Sequence, residues 1–92
     1  MLLEENQKLT IIGLNEEGQK FRPSDWAERL CGSLCTFRNR RMYYSPLLRP
    51  AVIDGVKCVV VDHRLQQEQE EMFTYVMGFV HENKLQSRIE DK

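Results

Sequence analysis

Three cysteines, two histidines and a cluster of arginines are the side chains of this sequence with types and spacings that could do chemistry. Cys31 and Cys35 lie four apart. On a helix they share a face, and with Cys58 and a histidine they could offer thiolate and imidazole ligands to a metal. Their spacing matches no zinc pattern, and a cysteine on an apolar helical face is most often a small core residue. Cys58, Asp62 and His63 supply the types of a nucleophile, an orienting acid and a base. Cys58, however, sits in a valine-rich run that points it into a core, and nothing resembling an oxyanion loop accompanies the three. His81, near the end of a helical stretch, is accounted for by favourable interaction with the helix dipole. The expectation is a non-enzymatic protein without metal or other cofactor.

The arginines are the more informative set. Arg22, Arg38, Arg40, Arg41 and Arg49 stand near Tyr43 and Tyr44. Guanidinium forks bind carboxylate or phosphate bidentately, and tyrosine rings can stack on bases. These seven residues form the candidate binding surface. The basic character is local. Residues 1–19 carry a net charge of −3, residues 20–49 carry +5, and residues 62–92 carry −3, within a total of −1. Three readings follow: internal pairing of the arginines with the acidic helix near the C-terminus, binding of nucleic acid or another anionic ligand through residues 38–49, or contact with a protein partner or a second copy. Tyr, Pro, Leu and Arg adjacent between Tyr43 and Arg49 resemble the composition of an interface core. A non-catalytic partner-binding or regulatory module is therefore the leading expectation, with nucleic-acid or anion binding as the alternative.

The elements that must position these residues can be read from pattern. Ninety-two residues suffice for one core only, and 41% hydrophobic with 29% charged content places the chain among globular proteins. Leu9 to Leu14 predicts a strand apolar on both faces, and Asn15-Glu16-Glu17-Gly18 predicts a turn into a short return strand, Gln19 to Arg22. Pro23 ends that strand. Ser24 or Asp25 then caps a helix, with Glu28 completing a variant capping box. Trp26, Leu30, Leu34 and Phe37 give that helix an apolar face, on which Trp26 anchors the core. Gly32 in its middle suggests close approach to another backbone or simple tolerance.

Met42 to Ser45 is extended. Asp54-Gly55 between two β-branched runs predicts a two-residue hairpin whose second strand, Val56 to Val61, is central because both its faces are apolar. A second helix from about Leu65 to Asn83 presents Leu65, Met72, Phe73, Val76 and Val80, and Asn83 is suited to the left-handed terminal position. The predicted fold is α+β: two layers, an antiparallel sheet of about four strands with two helices on one face, in the order ββαββα. It occupies residues 8–85, with flexible tails at 1–7 and 86–92. No apolar run spans a membrane, no secretion signal precedes the fold, and an odd number of cysteines fits a reducing compartment. A cytoplasmic location is expected.

Phe21-Arg22-Pro23-Ser24-Asp25-Trp26-Ala27-Glu28-Arg29-Leu30, Tyr44-Ser45-Pro46 with Arg49-Pro50, and Gly55-Val56-Lys57-Cys58-Val59-Val60-Val61-Asp62 resemble a family of short proteobacterial proteins known as a domain of unknown function. The resemblance runs from about Leu9 to Leu85. It implies a stand-alone small bacterial domain and no established activity.

Overall fold

The computed structural model describes residues 3–22, 25–32 and 36–91. Strand β1 is Gln7–Asn15, followed by helix α1, Trp26–Cys31, and the short strands β2, Thr36–Arg38, and β3, Arg41–Tyr43. Strands β4, Leu48–Ile53, and β5, Val56–Asp62, lead to helices α2, His63–Glu68, and α3, Glu70–Glu82, and the chain closes with strand β6, Leu85–Asp91.

Four strands form one antiparallel sheet in the spatial order β4-β5-β1-β6, and β2 pairs with β3 alone. With that small hairpin set aside, the topology is that of a split βαβ, or ferredoxin-like, sheet. The two strands read as apolar on both faces, β1 and β5, occupy the centre, where each face must be covered. In register, Leu9 faces Val61 and Ile11 faces Val59. These four, with Leu48, join Trp26, Ala27, Leu30, Leu65, Phe73, Val76 and Val80 in a single core. The alternate residues of the same strands turn the other way: Cys58 and Val60 are buried but stand outside that core, in register with Ile12 and Thr10. Arg49 and Arg88 end the row that holds Val60 and Thr10. The α+β class and its layering are as expected, and the order ββαββα holds approximately.

The differences have local causes. The turn at Asn15 forms, with Asn15 Oδ1 accepting from Glu17 N at 2.9 Å and Gln19 N at 3.0 Å. The return strand shrinks to one bridge between Leu14 and Lys20. The place beside β1 is taken by β6 instead, so residues 86–91 are a strand and not a tail. Leu3 is likewise no part of a free arm: it is 4% exposed and its amide donates to Gln66 Oε1 at 2.9 Å. Helix α1 stops at Cys31 while Phe37 lies in β2, so the apolar spacing read as one long helix spans two elements. Ser24, Leu34 and Cys35, also invoked in that reading, lie outside the described residues. Asp25 makes no side-chain cap. It accepts from Arg29 Nε at 2.8 Å, while Glu28 reaches across to Lys57.

The second predicted helix is broken at Gln69, whose φ of −135° and ψ of 62° are not helical. Lys84, at φ 52°, takes the left-handed position expected of Asn83. Gly32 faces open space, and the close backbone approach is at Gly13 instead. At the start of α2, Asp62 Oδ1 accepts from Arg64 N at 2.9 Å, an N-terminal cap that starts the helix before the expected Leu65. Asp62→Ala is expected to lower stability by about 1 kcal/mol in urea unfolding, since one helix-end amide loses its acceptor.

Candidate functional site

Six of the seven candidate residues fall into three places, and the seventh, Tyr44, packs against the core. Arg38, Arg40, Arg41 and Tyr43 come together on the β2–β3 hairpin. Asn39 and Arg40, the residues between its strands, have φ of 48° and 63°, as a tight primed turn requires. Asparagine tolerates that region, while arginine is seldom found there. The register opposes Arg38 to Arg41 and Thr36 to Tyr43. Like charges at opposed positions weaken a strand pair. The hairpin thus carries three arginines within four positions. Arg40 and Arg41 are exposed, and Tyr43 is 44% exposed.

Arg49 is elsewhere, on the sheet face away from the helices, beside a 220 Å³ hollow that it lines with Lys8, Pro46, Val60 and Asp62. Arg22 is in a third place, at a 230 Å³ cavity where the Gly13 end of β1 meets the β4–β5 turn. Tyr44 is half-buried against the core. Among the described residues no ion pair joins Arg22, Arg40, Arg41 or Arg49 to α3. Arg29 pairs with Asp25, Lys57 with Glu28 and Arg64 with Asp62, and His63 Nδ1 stands 3.3 Å from Asp62 Oδ1.

Two cations escape a reading by sequence alone. Lys20 and Lys57 line the Arg22 cavity, and the alternation Lys20-Phe21-Arg22 was the available signal. Lys57 Nζ donates to Glu28 Oε1, and this bond holds the Glu28 carboxyl below its ordinary range. Because the folded-state value is depressed, the pair's contribution is present at neutral pH and fades as pH falls through that lowered value.

The thiols are placed for packing. Cys31 lies in the core on the helix side, Cys58 on the opposite sheet face, so the sheet separates them and they cannot share a metal. Burial, with Glu28 nearby, pushes the Cys31 thiol up to about 12, and burial also raises Cys58. Cys58 and Asp62 are four residues apart along one strand, about 13 Å, too far for concerted chemistry. In native buffer at neutral pH, iodoacetamide mapped by mass spectrometry is expected to leave Cys31 and Cys58 unmodified, with both reacting in denaturant. Rapid native labelling of either would refute their burial.

A family model described as a protein of unknown function, DUF3579, matches residues 5–90. A solved structure, described as the solution structure of the first structural representative of its family, is 40% identical. It superposes with a TM-score of 0.78, over 97% of this chain and 82% of its own. No match was found among curated proteins. No helix among the described residues is long and apolar enough to cross a membrane.

Proposed function

This chain belongs to the DUF3579 family, and from that premise we propose that it is a non-catalytic partner-binding module whose contact surface is the β2–β3 hairpin, applied to an acidic protein surface. The observation that carries this reading is the pair Arg40 and Arg41, exposed on a hairpin outside the main sheet and joined to no acidic side chain among the described residues. Exposed Tyr43 supplies apolar contact area beside them at little entropic cost, the combination found at interface hot spots. Charge of this kind accelerates encounter with an oppositely charged partner.

The alternative, binding of nucleic acid or another anion through residues 38–49, draws support from the register that sets Arg38 opposite Arg41, since a bound phosphate would offset the charge gathered there. Ferredoxin-like sheets that read single-stranded RNA stack bases on aromatic side chains of the sheet. Here the central strands put Thr10, Ile12, Cys58 and Val60 on the face away from the helices, with no ring among them. A protein partner is the better fit.

The test compares the wild-type chain with the double variant Arg40→Glu/Arg41→Glu as immobilised bait for a lysate of the source cell. The expected result is a protein retained by the wild type, weakened by added salt and lost with the variant. Retention of the same proteins by both baits would sink the reading. A mobility shift with single-stranded RNA or DNA that collapses with salt and is absent for the variant would favour the alternative.

A further inference from the structure

The cavity beside Arg22 differs in construction from the hairpin. One wall is aromatic. Phe21 meets Trp26 edge-on at 5.7 Å, and Trp26 stacks on Phe79 at 6.1 Å with 13° between planes. Phe21 also meets Phe79 edge-on at 5.9 Å. Three rings in mutual contact fix one another, so the wall is formed before anything binds. The floor is backbone. A Cβ at Gly13 would stand 3.1 Å from the Trp26 ring, so the absence of a side chain is what lets the indole lie against β1. Gly55, in the left-handed conformation at φ 76°, closes the other side.

The rim is cationic. Lys57 is engaged by Glu28, whereas Lys20 and Arg22 are exposed and have no ion-pair partner among the described residues. No carboxylate among the described residues lines the cavity. A flat apolar wall under two uncommitted cations is complementary to a molecule with a ring at one end and a negative charge at the other. Arginine stacks and forks in ways that favour a planar carboxylate over a spherical ion. The volume of 230 Å³ falls below the ~300–1,000 Å³ of sites for drug-sized ligands, which limits the occupant to about one ring.

We propose that this cavity is a binding site for a small aromatic carboxylate, its ring against Phe21, which buried Trp26 supports from behind, and its carboxylate held by Arg22 and Lys20. The hairpin surface plays no part in it, so the two readings fail separately. Trp26 is the only tryptophan; it is 3% exposed and in edge contact with Phe21, so its emission reports a ligand that displaces or polarises the ring in front of it.

Phenylacetate, benzyl alcohol and acetate are the probes, titrated with excitation selective for tryptophan. Phenylacetate is expected to give a saturable change in the millimolar range or tighter, as befits about ten heavy atoms. Benzyl alcohol should bind about tenfold more weakly, a difference of about 1.4 kcal/mol, and acetate should leave the emission unchanged. Arg22→Gln should reduce phenylacetate affinity to the level of benzyl alcohol without altering the melting temperature, because Arg22 is exposed and supports no core contact. Arg40→Glu/Arg41→Glu should bind phenylacetate as the wild type does. Amide resonances of Gly13 and Gly55 should shift with phenylacetate. The proposal is overturned by absence of saturation up to about 10 mM, by equal affinity for benzyl alcohol, by an Arg22→Gln variant that binds like wild type, or by shifts confined to residues 39–43.

Discussion

Deleting residues 86–92 is expected to abolish cooperative folding. Strand β6 lines β1 from Gln7 opposite Asp91 to Ile12 opposite Gln86. Without it β1 becomes an edge, Thr10 Oγ1 loses its 2.8 Å bond to Glu90 Oε1, and Gln86 Nε2 no longer donates to Asn15 O. About half a dozen backbone hydrogen bonds at roughly 1 kcal/mol each are comparable with the roughly 5–14 kcal/mol of total stability available to a chain of this length. A residual transition would have a shallow urea dependence and a depressed far-ultraviolet signal. A truncated chain that unfolds cooperatively within about 1 kcal/mol of the intact one would show that the strand contributes little.

The second large effect belongs to one methyl group. In Gly13→Ala the new Cβ would stand 2.5 Å from the Lys57 carbonyl oxygen as well as 3.1 Å from the Trp26 ring. A flexible side chain could yield, but the oxygen belongs to the backbone of central strand β5 and cannot move without disturbing two strand pairs. Overpacking of this sort costs about 1–3 kcal/mol, and the rigidity of both neighbours puts Gly13→Ala near the upper end. Gly78→Ala is the control: it lies in α3 with open space where its Cβ would go. There the substitution should stabilise by roughly 0.5–1 kcal/mol through helix propensity alone. Opposite signs in matched thermal melts are the expected result. Equal effects would mean that the contact at Gly13 relaxes freely.

Legibility in the sequence followed burial. Val56 to Val61 and Leu9 to Leu14 are apolar on both faces because they are central, and a strand with either face in water would carry polar residues at alternate positions. Asp54-Gly55 announced its turn because both positions need positive φ, and both have it, at 52° and 76°. Strand β6 was hidden for the converse reason. An edge strand with one pairing neighbour and partial burial keeps Gln86, Ser87, Arg88, Glu90 and Asp91, and such a run is indistinguishable by composition from a tail.

The β2–β3 hairpin was obscured by coincidence of spacing, Trp26, Leu30 and Phe37 suiting a helix longer than α1. Asn39 was the available turn signal, and Arg40 beside it hid the pair, since arginine is an uncommon choice for the second position. The seven candidate residues were chosen by type and proximity in sequence. Their division among a hairpin, a sheet face and a cavity depends on where β1, β4 and the Asp54-Gly55 turn meet, a long-range property that local pattern does not carry. Gln69 breaks the second helix without a proline or glycine, and no sequence signal marks it.

The two margins of the sheet are unequal, and this governs how far any association along them can proceed. Pro50 in β4 has no amide hydrogen, so that margin has one donor fewer for an incoming strand. The β6 margin has its donors, with Ile89 43% exposed among alternating charges. Two copies joined through β6 would leave only proline-bearing margins at both ends. A strand added at either end of such a pair would then meet a margin that lacks one backbone donor, which weakens further addition there.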